Sequence, residues 1–205
     1  MKNVKIQGLF PVPIYMSEIN RNFTKQELKF VDDQKHYCND NVGNTNTKDS
    51  YILNREELVD IKKFLNDSCE DYLQKIICPK DKIKLCITQS WLNYTEQNQF
   101  HHQHTHSNSF VSGVLYLQCN KESDKILFTN LKDYQQIKPE IDKYNVWNSH
   151  TWWFSVGVGE LFMFPSSTNH QVETKKGSGT RISLAFNTFI KGKIGKKNSF
   201  TELIL

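Results

Sequence analysis

The sequence predicts an α+β chain that is mainly β, a double-sheet jelly roll with two N-terminal helices packed on one sheet. Three observations carry this. Apolar residues recur every three to four positions over 54–77, and about every two positions from residue 82 to residue 190. After an N-terminal edge strand, two helical segments are followed by many short strands, the order expected when helices cover one face of an antiparallel sheet. Seven or eight short strand candidates, separated by Gly, Asn, Lys and Ser turns, close most naturally as two packed sheets.

In chain order, residues 4–14 mix β-branched and aromatic residues with Pro11 and Pro13. Proline cannot donate to a central ladder, so this reads as an edge strand running into an extended segment. Residues 22–38 are charged, with Leu28, Phe30 and Val31 as apolar anchors. Thr24 followed by Glu27 has the form of a capping box, which predicts a first helix. Residues 39–50 are rich in Asn, Asp, Gly and Thr and read as a loop turning at Asn41-Val42-Gly43-Asn44. Leu58, Ile61, Leu65, Cys69, Tyr72, Leu73 and Ile76 then form one stripe of a long amphipathic helix over 54–77, stopped by Pro79. Its opposite face is charged, so the helix is expected to lie flat on a sheet. Strands are predicted over 82–94, 109–119, 125–128, 151–156, 160–164, 171–175 and 180–190. Between them, 120–150 is irregular enough to suggest a lid or binding loop. One domain is expected over 1–205, with an edge strand and supporting helices in 1–80, the β core in 81–190 and a tail in 191–205.

Composition narrows the class. With 38% apolar and 12% aromatic residues the chain is globular rather than disordered. The net charge of +4 is spread along it apart from the run 191–197, which reads as a solvated turn, so neither nucleic acid nor membrane is an expected partner. The five cysteines are odd in number and lack C-x-x-C spacing, which argues against a disulfide framework and a thiolate zinc site and fits a reducing cytoplasm. Residues 1–8 lack the apolar core of a signal peptide, and no run of about 18 apolar residues is present. The apolar ending 200–205 packs either within the chain or across a homodimer.

The chemistry concentrates in His101-His102-Gln103-His104-Thr105-His106, which holds four of the seven histidines. Neutral imidazole is the commonest metal ligand. Residues at i and i+2 of a strand share a face, so His102, His104 and His106 offer converging rings. By itself the cluster is equally compatible with a metal site and with a solvated histidine-rich loop or hydrogen-bonded core histidines. The last strand adds a second signal. Ile182, Leu184 and Phe186 alternate with Arg181, Ser183, Ala185 and Asn187, so the small and polar face can look into the mouth of the sandwich.

Five blocks then follow in order: Trp91-Leu92-Asn93; His104 to Tyr116, which includes H-x-H and Ser112-Gly113-Val114; Gly159 to Pro165; His170; and Arg181 to Asn187. Together they resemble the prolyl-4-hydroxylase-like iron(II)/2-oxoglutarate-dependent oxygenases. More narrowly, they resemble an uncharacterised bacterial and phage subgroup with the pattern H-x-H…H…R-x-S. The resemblance implies a double-stranded β-helix, the cupin-like form of the jelly roll, and an Fe(II) ion held by His104, His106 and His170. It also implies 2-oxoglutarate bound by Arg181 with help from Ser183, Tyr116 and Asn93, and O2 as the oxidant. The implied reaction hydroxylates a peptidyl or small-molecule substrate with release of succinate and CO2, with no catalytic residue beyond the metal ligands. His102 and Asn187 are expected beside the ligands or on the substrate side, and His101 at the periphery.

One departure stands out, because the wider superfamily usually has H-x-D or H-x-E where this chain has His106. Either a carboxylate such as Glu96 approaches from elsewhere, or three imidazoles bind the metal; His102 with His104 is the alternative pair. Two other readings compete: a cupin-like three-histidine metalloprotein that does not use 2-oxoglutarate, and a non-enzymatic jelly-roll binding or structural module.

Overall fold

The computed structural model describes residues 3–131, 137 and 139–205. In chain order the elements are β1 (Tyr15–Glu18), α1 (Lys25–Gln34), β2 (Cys38–Asp40), β3 (Thr45–Thr47), α2 (Val59–Tyr72), β4 (Ile83–Thr95), β5 (His101–His104), β6 (Val111–Gln118), β7 (Lys125–Thr129), β8 (Thr151–Ser155), β9 (Glu160–Pro165), β10 (Asn169–Val172), β11 (Arg181–Ile194) and β12 (Leu203–Ile204). They form two sheets. The larger has the order β1-β9-β6-β11-β4-β3-β2, with β12 added on the end of β11, and the smaller has the order β5-β10-β7-β8. The named strand pairs are antiparallel, as predicted for a jelly roll.

Two apolar cores give the layers. Ile61, Leu65, Cys69 and Tyr72 of α2 are buried with Leu92, Tyr94, Leu115, Leu184 and Phe186 of the large sheet. The second core holds Val114, Tyr116, Ile126, Phe128, Phe162 and Phe164, contributed by strands of both sheets. The alternation of β11 decides which residues go where. Ile182, Leu184 and Phe186 join the helix-side core, which turns Arg181, Ser183, Ala185 and Asn187 toward the small sheet.

The first helix begins at the expected cap. Thr24 Oγ1 accepts from the Glu27 backbone N–H at 3.1 Å, and the Glu27 carboxylate accepts from the Thr24 N–H at 2.7 Å. Arg21 clamps the same carboxylate with bonds of 2.9 and 2.6 Å. Burial pushes the Glu27 pKa up, but Arg21 and the Thr24 backbone outweigh it and hold the group below its ordinary value. The second helix opens as two 3₁₀ turns, Ile52–Asn54 and Glu56–Leu58, and closes as a π turn at Leu73–Ile77 before left-handed Cys78.

Several expectations shift. The edge strand lies at Tyr15–Glu18, paired with β9, and not within 4–14: Pro11 and Pro13 keep the earlier segment out of the ladder. The loop predicted over 39–50 contains a hairpin, β2-β3, whose turn is closed by the Asn41 N–H donating to the Asn44 carbonyl at 2.8 Å. The strand expected at 171–175 starts at Asn169 and so includes His170. The last strand runs on to Ile194, and Leu203–Ile204 folds back on it, so 191–205 is not a free tail. Part of the proposed lid, residues 132–136 and 138, lies outside the described residues. No helix among the described residues is long and apolar enough to cross a membrane.

Candidate metal centre

Three strand ends bring the histidines together. His104 ends β5, His170 lies on β10, and the two are directly paired across the small sheet. His106 follows β5 and is tethered by its own N–H, which donates to the Ser166 carbonyl at 3.0 Å. The ring centroids are 4.3 Å apart for His104–His170, 4.8 Å for His104–His106 and 5.1 Å for His106–His170. Each ring offers a nitrogen within 4.8 Å of the other two.

Backbone carbonyls set two of the tautomers. His104 Nδ1 lies 2.8 Å from the His102 carbonyl and His170 Nδ1 lies 2.9 Å from the Thr168 carbonyl. A carbonyl can only accept, so each Nδ1 carries the proton and each Nε2 keeps its lone pair, the arrangement that a metal-ligating histidine needs. Burial pulls the His170 pKa down to about 3 and that of His106 to about 4, with neighbouring histidines adding to the effect. It lowers His104 as well, partly offset by the His102 carbonyl. All three are therefore neutral near pH 7, so a cation arriving there displaces no proton.

No carboxylate joins them among the described residues. Glu96, the one considered from the sequence, is held elsewhere by Lys35 at 2.5 Å and by the Thr180 hydroxyl at 2.9 Å. Trp91 packs against His106 with centroids 5.8 Å apart.

The polar face of β11 runs on from this triad in rows. Ser183 pairs with Asn93 on β4 and with Tyr116 on β6, so the three share one row across the inner face. Asn93 Oδ1 and the Tyr116 hydroxyl are both buried without a hydrogen-bond partner. Unpaired buried polar atoms are uncommon in folded proteins. Their meeting in one row marks a place for a polar ligand. Beyond this row Arg181, only 3% exposed, donates to Asp124 Oδ1 at 3.0 Å and to the Glu173 carbonyl at 3.1 Å. Lys175, equally buried, lies 3.7 Å from Asp124 Oδ2. Two buried cations thus face one buried carboxylate, and the excess positive charge suits an anionic ligand.

The donor set therefore fits both groups. Three neutral imidazoles suit a divalent transition metal, and a cationic pocket lined by orphaned polar atoms suits the carboxylate of 2-oxoglutarate. The structure brings together His104, His106, His170, Asn93, Tyr116, Ser183 and Arg181. Asn187 reaches the ligands indirectly: its Oδ1 accepts from Ser112 Oγ at 2.8 Å, Ser112 meets Ser166 at 2.8 Å, and Ser166 holds the His106 backbone. Asn187 thus buttresses the His106 loop. His102 lies beside the ligands, its Nδ1 buried and unpartnered.

His101 corrects its expectation. Val172 pairs with His101 while His170 pairs with His104, so β5 takes three steps where β10 takes two. This bulge places His101 in phase with His104, and their rings stack at 4.7 Å and 12°. The sequence also gave no weight to Asp124, Lys175 or Ser166. Asp124 and Lys175 stand in ordinary charged turns, and only their burial distinguishes them.

Residues 89–187 match the model of the family described as "Putative 2OG-Fe(II) oxygenase". No curated protein matches the chain. Among solved structures, an oxidoreductase of the 2OG-Fe(II) oxygenase family from Burkholderia pseudomallei superposes with a TM-score of 0.55 at 15% identity, covering 85% of this chain and 83% of that one. HygX from Streptomyces hygroscopicus, solved with nickel, 2-oxoglutarate and hygromycin B, gives 0.58 at 10% identity over 86% of this chain and 82% of its own. A prolyl hydroxylase from Trichoplax adhaerens, in complex with a hypoxia inducible factor peptide fragment, gives 0.55 at 13% identity over 86% and 83%. At these identities the structures speak to the double-stranded β-helix fold alone. Residues 89–187, the stretch that matches the 2OG-Fe(II) oxygenase family model, carry every side chain of the histidine–arginine site.

Proposed function

We propose that this chain hydroxylates a peptidyl or small-molecule substrate, with His104, His106 and His170 holding Fe(II) and the Arg181 pocket holding 2-oxoglutarate. The observation that carries the reading is the row Asn93–Ser183–Tyr116, with its two orphaned polar atoms, lying between the histidine triad and a buried excess of positive charge. A ferrous ion held there would activate O2, the oxidant that takes two electrons from 2-oxoglutarate, giving succinate and CO2, and two from the substrate as it is hydroxylated.

The chain's own residues bind and orient. Arg181 keeps N–H groups beyond those given to Asp124 and Glu173, and can present them in parallel to the far carboxylate of the cosubstrate. Asp124 fixes the guanidinium plane and is itself fixed by the Asn120 N–H at 2.8 Å. Tyr116 donates its hydroxyl proton, which burial makes harder to lose, so it acts as a neutral hydrogen-bond donor. The carbonyls of His102 and Thr168 keep Nε2 of His104 and His170 aimed inward. With His106 in place of a carboxylate, all three protein ligands are neutral, so the anionic cosubstrate provides the charge compensation for the metal.

Arg181→Lys tests the assignment, because it keeps the charge beside Asp124 but loses the fork. Succinate formation at saturating Fe(II) should require at least about tenfold more 2-oxoglutarate, a loss of about 1.4 kcal/mol of binding. An unchanged requirement would place the cosubstrate elsewhere. HygX and the prolyl hydroxylase were solved with hygromycin B and with a peptide respectively, and both substrate classes are kept in the proposal.

A further inference from the structure

The four-histidine run contains more ligands than one iron needs. His101, His102 and His104 form a second convergent group, with a nitrogen from each within 4.8 Å of the others. Two further observations point to a ligand there. The β5 bulge carries His101 onto the face of His104. His102 Nδ1 is buried with no hydrogen-bond partner, although its ring centroid is only 4.9 Å from that of His104 and 5.4 Å from that of His101. A buried imidazole nitrogen left unpaired costs stability unless something binds it.

We propose that His101, His102 and His104 form a second metal position that takes Zn²⁺ and overlaps the first at His104. The two positions exclude one another. His104 Nδ1 is committed to the His102 carbonyl at 2.8 Å, so only Nε2 has a free lone pair, and one lone pair serves one metal. A zinc ion on the outer group withdraws His104 from His106 and His170. Three imidazoles and a water satisfy the tetrahedral preference of zinc, and zinc binds nitrogen sites more tightly than ferrous iron does. Occupancy of the outer position therefore switches the inner centre off. This inference stands on the histidine geometry alone and survives if 2-oxoglutarate proves not to bind.

The test uses tag-free, metal-stripped full-length protein and zinc alone as the probe. His106→Ala/His170→Ala dismantles the inner group and leaves the outer one. It should still bind one equivalent of Zn²⁺, and adding His101→Ala should weaken that binding by at least about a hundredfold, more than loss of an outer partner costs. The wild-type chain should bind one equivalent in total across the two positions, and Zn²⁺ should release Fe²⁺ in equilibrium dialysis. Folding of each variant is checked by circular dichroism. Should the double variant fail to fold, histidine modification of the wild-type chain by diethylpyrocarbonate, read by mass spectrometry, gives the answer: zinc should shield His101 and His102. The proposal is overturned if the folded double variant binds no zinc, if its binding ignores His101, if the wild-type chain fills both positions at once, or if zinc leaves His101 and His102 unshielded.

Discussion

Tyr116 shows how a single residue separates a binding role from a structural one. Its hydroxyl is buried and unpaired, so in the metal-free chain it is a liability of about 1–3 kcal/mol. Tyr116→Phe should leave the urea midpoint of the metal-free chain unchanged or raised while weakening 2-oxoglutarate binding by about tenfold, the worth of about one hydrogen bond. A lower midpoint with unchanged cosubstrate affinity would make it a core tyrosine. At this scale the sequence was informative where residue type is distinctive. His104, His106, His170 and Arg181 stand in the spaced series that carries the family resemblance. Asp124 and Lys175 were not legible, because a carboxylate in Lys-Glu-Ser-Asp-Lys and a lysine in Thr-Lys-Lys-Gly look like solvent-facing turns. Their burial arises only when β7 and the β10–β11 connection close over Arg181.

Gly113 and Glu27 carry the argument at the level of elements. Gly113 sits in β6 where a Cβ would lie 2.3 Å from the Phe186 ring and 3.1 Å from Met163. Phe186 is fully buried and cannot yield. Gly113→Ala should destabilise the chain by about 1–3 kcal/mol in chemical denaturation; an unaffected midpoint would mean that β6 and β11 pack more loosely than described. The Ser-Gly-Val block is thus a packing requirement of the sheet that carries Tyr116. Glu27 makes a pH-dependent contribution. Its folded pKa is depressed, so its stabilisation is complete above the ordinary carboxylate range and is lost as pH falls through the folded value. Glu27→Gln should cost about 1.5 kcal/mol at neutral pH, and the gap from wild type should close in acid. A gap independent of pH would refute the charge-based account of that cap.

Helix α1, α2 and most of the strands were legible because period and capping are local signals. The β5 bulge and the short β2-β3 hairpin were not. A bulge is set by pairing with a distant strand, here β10, and three-residue strands of Cys, Asn, Asp and Thr carry no apolar alternation to read.

On the scale of the whole molecule, the two cores divide the labour. Helices cover the outer face of the large sheet, which leaves its inner face free to carry the Arg181–Ser183–Ala185 row opposite the histidines of the small sheet. The metal triad is carried by the small sheet and Arg181 by the large one, so cosubstrate binding should depend on the ion that joins them. Anaerobic calorimetry with 2-oxoglutarate tests this most directly, using protein stripped of metal and then loaded with Fe²⁺. The account predicts stoichiometric binding in the loaded protein and a loss of at least about tenfold in affinity when iron is withheld. Equal affinity with and without iron, or no binding in either state, would contradict it.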